Sequence, residues 1–199
     1  MQLHKRDVVA AALAILDGYG IADLTMRRLA RELAITPGAL YWHFASKQQL
    51  LGAVADHLLG PVGAVPGSGD WRRRVGSLCS RLRAALLSHT DGAELVSASF
   101  AAGQSRVITE ILALLAGAAA EAGLDCEHAA LAARTLVYFV LGATADEQSR
   151  RQWDAAGAMA AEPDPAAGFE FGLRLIIDGL AAQSVPDQML DALVAVPPA

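Results

Sequence analysis

Aromatic, imidazole and cationic side chains that could bind another molecule crowd into one short stretch of this 199-residue chain. Tyr41, Trp42 and His43 are consecutive, and Lys47 follows about one helical turn later. Such groups near a helix end can hydrogen-bond phosphates and pack against sugars. The chemistry predicted for this stretch is therefore nucleic-acid binding. Core packing is the alternative for Trp42 and for the nearby Phe44 when either is taken alone.

Three hydroxyl residues divide this region into short predicted helices. Thr25 can cap a helix over residues 25–33, and Thr36 can cap a second one over 37–43, which begins with proline. Ser46, with a glutamine three residues later, can form the capping box of the next helix. Two short helices joined by a few residues are typical of the helix-turn-helix, a DNA-binding motif.

Composition and periodicity predict an all-α protein. Apolar residues make up 54% of the chain and aromatic residues only 6%, and the dominant alanine and leucine favour helices. Apolar residues recur at helical spacing along most of the chain. The other predicted helices are Lys5–Gly18, Ser46–Leu59, Trp71–Ser88, Asp91–Ser99, Gln104–Ala122, Glu127–Trp153, Phe169–Ala182 and Asp187–Val194.

Charge separates two predicted domains, a three-helix head (residues 1–50) and a larger helical body (residues 51–199). The net charge is −5, but the head contains six Lys and Arg against four Asp and Glu. The body contains ten basic and seventeen acidic residues. A basic head on an acidic body is compatible with DNA binding by the head alone. The Gly/Pro-rich segment 60–69 is predicted to be a hinge or loop between them.

The remaining chemistry-bearing residues indicate no cofactor, metal or membrane. Cys79 and Cys126 lie in apolar helical patterns without metal-site spacing and are predicted to be buried, reduced thiols. The N-terminus has no apolar core of the signal-peptide type. The most apolar run, Val107–Ala120, is shorter than the roughly 20 residues of a membrane span. We therefore expect a soluble, cytoplasmic protein.

Acidic and histidine residues in the body do not form a recognisable catalytic set. His89 and Asp91 are close in sequence but lack a nucleophile. Asp146 and Glu147 are adjacent, so on a helix they point about 100° apart. We therefore expect no enzymatic activity.

The helix-turn-helix stretch resembles the DNA-binding domain of the Tet repressor (TetR) family over about residues 5–60. The sequence YWHFASKQQLL is close to the recognition-helix pattern of that family. The resemblance implies that nine residues contact DNA. These are Thr25, Arg27, Thr36, Gly38, Ala39, Tyr41, Trp42, His43 and Lys47.

Small residues on the second short helix shape the expected mode of DNA reading. Gly38 and Ala39 would let this helix approach base edges closely, but they leave few long side chains to read bases. Sequence choice is therefore expected to rest on Arg27, Thr36, His43 and DNA shape.

Three body segments, LLSHTDGAEL, FVLGATADEQ and FEFGLRLIIDGL, resemble stretches of the tetracycline-type repressors of this family. The resemblance implies a ligand-responsive repressor with an internal pocket and a palindromic operator in double-stranded DNA. It also implies a homodimer formed by two helices of each subunit. Helices near 127–153 and 169–183 are the candidates, because their apolar surface exceeds what one core needs.

The resemblance also indicates what the pocket does not bind. Positions that hold polar groups and a metal-binding histidine in those repressors are here Gly63, Leu78, Val96 and Leu112. Asp146 alone cannot rebuild a hard-cation site, so a hydrophobic effector without metal is predicted.

The predicted pocket is lined by apolar residues and one carboxylate. They are Leu78, Leu82, Leu86, Val96, Phe100, Leu112, Leu115, Tyr138, Leu141 and Asp146. Two alternatives stay open: these residues simply fill a core, or the body binds a protein partner and no small ligand.

Overall fold

The computed structural model describes residues 3–63, 69–155, 157 and 164–183. Within these ranges the chain forms nine α-helices, one 3-10 turn (Ile21–Asp23) and no β-strand, which confirms the predicted all-α class. The helices are α1 Lys5–Tyr19, α2 Met26–Glu32, α3 Pro37–Tyr41, α4 Lys47–Gly63, α5 Trp71–Leu87, α6 Gly92–Ala101, α7 Arg106–Glu121, α8 Cys126–Ala155 and α9 Pro165–Gln183. The predicted helix Asp187–Val194 lies outside the described residues.

The predicted caps of the head helices are confirmed. The Thr25 hydroxyl accepts a hydrogen bond from the Arg28 N–H at 3.1 Å, and the Thr36 hydroxyl accepts one from the Ala39 N–H at 3.2 Å. At the start of α4, the Ser46 hydroxyl accepts from the Gln49 N–H at 3.2 Å, while the Gln49 side chain accepts from the Ala45 N–H. These bonds satisfy amides that would otherwise lack partners at each helix start.

The head packs α1, α2, α3 and the first turns of α4 around one apolar core. Leu16, Leu29, Leu40, Phe44 and Leu50 are each almost fully buried. Core packing is thus the role of Phe44, whereas Trp42 lies outside the core. The turn between α2 and α3 passes through Ala34, whose φ of +53° lies in the left-handed region.

Two helix ends differ from the sequence prediction. Helix α3 stops at Tyr41 instead of His43, and Trp42 is its C-terminal cap. Helix α4 continues through Pro61 to Gly63, so the predicted break at residue 60 is wrong. Proline in the last turn removes one backbone hydrogen bond, and helix packing can compensate for that loss. The predicted boundary between residues 50 and 51 falls inside α4 and stays a prediction.

The body surrounds α8 with α5, α6, α7 and α9. Fully buried leucines and valines of these helices form its core, among them Leu82 and Val140. Helix α9 packs on α8 through the stacked rings of Phe139 and Phe169, whose centroids are 5.5 Å apart. Gly172 permits this approach, since a Cβ there would lie 2.7 Å from the Phe139 ring.

Helix α8 is, by length and composition alone, long and apolar enough to cross a membrane. It is the one helix of the described residues that meets this criterion, and it lies C-terminal to the apolar run Val107–Ala120. A core helix of a soluble protein meets the same criterion, and nine residues of α8 are buried against its neighbours. The length and apolar composition of α8 are therefore also those of a helix in the body core.

The two cysteines have different environments. Cys79 is buried in α5, and burial raises the pKa of its thiol to about 12. Cys126 is exposed at the first residue of α8, so its predicted burial is wrong. The apolar pattern around Cys126 belongs to residues one turn further along the helix, where Ala129 is the first buried one.

Replacement of Ala34 by glycine should stabilise the protein, because a left-handed conformation costs roughly 1–2 kcal/mol with a Cβ and glycine adopts it freely. We expect the free energy of unfolding to rise by about 0.5–1 kcal/mol, since glycine also gains entropy in the unfolded chain. Urea denaturation at fixed protein concentration measures it. The matched control, Ala10→Gly on the exposed face of α1, should instead destabilise by about 1 kcal/mol. A loss of stability in Ala34→Gly would contradict the strained turn.

Candidate nucleic-acid interface and effector site

The face of the head formed by α3 and the residues after it carries exposed side chains of unusual type. Trp42 is 90% exposed and Tyr41 is 50% exposed. Lys47 lies on the surface at the first residue of α4, and His43 is half-buried between them. Large aromatic side chains exposed side by side indicate a binding surface. The structure therefore brings these four predicted DNA-contact residues together.

The other predicted contacts belong to the same surface or to its edges. Gly38 is exposed, and the nearest heavy atom to a Cβ added there would be the Thr36 hydroxyl at 3.9 Å. Ala39 is half-buried, and Arg27 is exposed on α2. The hydroxyls of Thr25 and Thr36 accept the cap hydrogen bonds with their oxygen atoms, so each O–H remains able to donate to a phosphate.

The three arginines of α2 have different roles. Arg28 forms an ion pair with Asp23, and its guanidinium lies 3.7 Å from the centroid of the Tyr19 ring. Arg28 thereby ties the start of α2 to the end of α1. Arg27 and Arg31 are exposed, and no carboxylate of the described residues lies within ion-pair distance of either. These two side chains can therefore reach phosphates.

Lys5 is a further cation near this surface and was not among the predicted contacts. Its Nζ lies 5.4 Å from the centroid of the Phe44 ring, just beyond the recognition helix α3. The start of α1 therefore adds a cation at the edge of the same surface. The signal in the sequence was the pair Lys5-Arg6 at a helix start, where cations oppose the helix dipole.

Helix α4 provides the first attachment of the head to the body, and it packs against α5, α6 and α7. The Asp56 carboxylate accepts hydrogen bonds from the Ser105 hydroxyl at 2.7 Å and from the Val107 N–H at 2.9 Å. Gly52 lies directly against the backbone carbonyl of Gln104, and a Cβ at this position would overlap it. The middle of α4 is thus fixed to the start of α7.

A second attachment, which sequence reasoning missed, joins the end of α1 to the turn between α5 and α6. The Asp17 carboxylate accepts from the Thr90 N–H at 3.1 Å and lies 3.0 Å from His89 Nδ1. The Thr90 hydroxyl donates to the Asp17 carbonyl at 3.2 Å. Because these partners lie more than 70 residues apart, no local pattern could indicate them.

Asp91 completes this attachment, which we call the α1 junction (Asp17, Ile21, His89, Thr90 and Asp91). Its carboxylate accepts from the Ile21 N–H at 2.9 Å and from Gln152 Nε2 at 2.7 Å. Asp91 occupies the N-cap position of α6, but its side chain makes no cap hydrogen bond there. Asp91 itself has a left-handed φ of +51°, which turns its side chain toward the head.

The predicted pocket residues occupy different positions in the body. Leu78, Leu82, Leu86, Val96 and Leu115 are buried in the body core. Phe100 and Leu112 are half-buried at its edge. Asp146 is exposed and accepts a hydrogen bond from Arg150 Nε at 2.8 Å, so it points away from the core. Ligand binding by this set stays a prediction.

An open cleft does lie between α6 and α8, and two predicted residues line it. Its volume is about 540 Å³, and Tyr138 and Leu141 are on its α8 side. The other lining residues are mostly small and apolar. They are Ala93, Glu94, Ser97, Ala98, Ala101, Gly142 and Ala145.

Comparison with known families matches both parts of the chain. Residues 8–54 match the family described as bacterial regulatory proteins, tetR family. Residues 64–167 match the tetracyclin repressor-like C-terminal domain. The chain is 33% identical to the tetracycline repressor protein class A from transposon 1721 of Escherichia coli, over 90% of this chain and 91% of that protein. The chain belongs to the TetR family.

Solved structures of similar proteins include one bound to DNA. The crystal structure of Mycobacterium smegmatis BioQ is 63% identical to this chain, with a TM-score of 0.87, and covers 91% of this chain and 99% of that one. A crystal structure of BioQ with its natural double-stranded DNA operator is 60% identical to this chain, with a TM-score of 0.82. The match covers 92% of this chain and 100% of the BioQ chain. A TetR variant of Acinetobacter baumannii in complex with minocycline is 27% identical to this chain, with a TM-score of 0.71. The match covers 93% of this chain and 100% of that one.

Membership in the TetR family confirms the coarse functional prediction. The protein is a DNA-binding transcriptional regulator with a helix-turn-helix head, and it is not an enzyme. The exposed face of α3 lies within residues 8–54, which match the N-terminal family model.

The change Lys47→Ala should weaken operator binding and lower the slope of log affinity against log salt by about one unit, because one phosphate contact is lost. Fluorescence anisotropy across a salt series measures the slope. Arg72→Ala, which removes an exposed body arginine on α5, should leave the slope unchanged. An unaltered slope in Lys47→Ala would exclude a phosphate contact by this residue.

The change Asp17→Ala should loosen the α1 junction without unfolding the head. Loss of a charged hydrogen-bond acceptor costs about 1.5 kcal/mol, so hydrogen exchange at the Thr90 amide should accelerate about tenfold. Mass-resolved hydrogen exchange measures this. The control is Asp23→Ala, because Asp23 pairs with Arg28 within the head. Equal exchange rates at Thr90 in the wild type and Asp17→Ala would show that the junction does not hold in solution.

Proposed function

We propose that this chain is a homodimeric transcriptional repressor that binds a palindromic operator and is released by a hydrophobic small molecule. The observation that carries the proposal is the exposed face of Tyr41, Trp42 and Lys47 on a helix-turn-helix head. Such a regulator acts on cellular DNA, so we expect a cytoplasmic location.

Exposed apolar residues on α8 and α9 support the dimer. Phe171 is 60% exposed and Leu175, one turn later, is 57% exposed. Leu131 on α8 is also largely exposed. Gly179 has open space where a Cβ would lie, which lets helices of a second copy approach closely. Four helices, two from each copy, would cover this surface.

The dimer supplies most of the specificity that the short recognition helix lacks. Helix α3 has five residues and presents Gly38 and Ala39 where a longer reader could stand. Two copies of α3 would enter successive major grooves about 34–36 Å apart. An operator with two inverted half-sites at that spacing would therefore be selected by geometry as well as by base contacts.

An effector would act by favouring one spacing of the two heads over the other. It can do so only if it binds the released state more tightly than the DNA-bound state. The α1 junction and the Asp56 contact both connect the heads to the body helices. Binding in the body would thus change head position through both attachments. We expect no metal in the effector complex, since Asp146 alone cannot hold a hard cation.

A second candidate, a regulator whose body binds a protein partner or nothing, is favoured by one observation. Most of the residues predicted to line an internal pocket belong to the buried core of the body. Thermal-shift screening against hydrophobic compounds separates the two candidates. A ligand at 100 times its dissociation constant should add about 2.7 kcal/mol of stability, and no stabilisation by any compound would favour the second candidate.

The operator is tested by selection of DNA from a random library with the wild-type protein. We expect enriched sequences with two inverted half-sites separated by about one helical turn or a multiple of it. Enrichment of a single, non-repeated site, or of no sequence, would contradict the proposal. The double variant Tyr41→Ala, Trp42→Ala serves as the control that should lose enrichment.

The double change Phe171→Glu, Leu175→Glu should convert the dimer to a monomer, because four glutamates in each dimer would lie in an apolar interface. Sedimentation velocity measures the mass. Leu114→Glu on α7 alters a residue of similar exposure, 52%, outside the proposed interface and should leave the dimer intact. A double variant that stays dimeric would place the interface elsewhere.

A further inference from the structure

The cleft between α6 and α8 has a defined direction. The two helices run antiparallel, since Ala93 at the start of α6 contacts Gln148 and Phe100 near its end contacts Tyr138. The residues between Ala93 and Ala101 span about 12 Å at the helical rise per residue. Small side chains line most of that length. The cleft is therefore a shallow apolar trough with two chemically different ends.

The Arg134 guanidinium lies beside one end of the trough, next to the lining residue Tyr138. Arg134 Nη2 donates a hydrogen bond to the Tyr138 hydroxyl at 2.6 Å. The guanidinium carbon also lies 5.2 Å from the centroid of the Phe100 ring and 5.5 Å from that of Tyr138. Cation–π contacts and one hydrogen bond orient the group. Among the described residues, no carboxylate lies within ion-pair distance of Arg134.

The opposite end of the trough holds a negative charge. Glu94 lines the cleft in the first turn of α6, two turns away from Ala101. An anion would therefore be repelled at the Glu94 end and attracted at the Arg134 end. An elongated ligand with one charged end has only one favourable orientation in such a trough.

We infer that this trough binds an amphiphilic carboxylate, with its carboxylate on Arg134 and its apolar chain against Ala98, Leu141 and Ala145. Arginine offers the planar donor fork that matches a carboxylate. The volume of about 540 Å³ lies in the range of small-molecule sites. This ligand would be the effector of the proposed repressor, so its regulatory role, though not its binding, rests on the proposed function.

The trough is connected to the head through one glutamine. The Ala93 N–H donates to Gln148 Oε1 at 3.1 Å, and Gln148 Nε2 donates to the His89 carbonyl at 2.8 Å. His89 belongs to the α1 junction. A ligand that separates α6 from α8 would therefore disturb the turn that anchors α1.

Calorimetric titration with decanoate below its micelle concentration tests the inference on the intact protein. We expect saturable binding of one decanoate per chain, and much weaker binding of decanol and decylamine, which lack the carboxylate.

Arg134→Gln should weaken decanoate binding about tenfold or more, because a charge-assisted pair is lost. Arg106→Gln, an exposed arginine on α7, should not. Ala98→Trp should abolish binding because the indole fills the trough.

Each other outcome overturns the inference. Equal decanoate affinity in the wild type and Arg134→Gln would show that Arg134 is not the anchor. Equal affinity for decanol would show that the trough does not select an anion. If Ala98→Trp or Arg134→Gln alters sedimentation without ligand, the trough is a contact with a second copy. Operator binding without decanoate is measured on the same proteins, so failure of the proposed function appears separately as loss of DNA binding by the wild type.

Discussion

Burial of Leu40 and Phe44 holds the recognition helix in place. Helix α3 has five residues, far fewer than an isolated helix needs to be stable in water. Its orientation is therefore set by the head core and by the Thr36 cap, and its exposed residues owe their positions to those buried ones. The same constraint explains the small face of α3, since a helix that short has room for few base readers.

The head is attached to the body at two places with similar chemistry. In each, one carboxylate accepts hydrogen bonds from the body. Asp56 of α4 accepts from Ser105 and Val107 at the start of α7. Asp17 of α1 accepts from Thr90 in the turn before α6. Two separated attachments resist rotation of the head relative to the body, whereas a single attachment would allow it. Head orientation is thus coupled to the positions of both α6 and α7, which are the helices nearest to the trough and to the core.

Local signals predicted much of the fold and of the DNA-binding face. Caps such as Thr25 and Thr36 act within three residues, so the sequence alone indicates them. The helix end predicted before Pro61 is wrong, because packing of α4 in the body compensates for a helix-breaking residue near the helix end. The α1 junction and the Arg134 cluster involve partners far apart in the chain, which no periodicity reveals. The apolar pocket stays a prediction for a related reason: helical spacing shows that Leu82 and Val96 face inward, but not whether a neighbour already fills the space.

The contact of Gly52 with the Gln104 carbonyl fixes the distance between α4 and α7. Asp56, about one turn later, is held by Ser105 and Val107 of the same region. Because α4 is held at two successive turns, it cannot pivot about one residue. A change in the direction of α4 therefore requires the start of α7 to move with it.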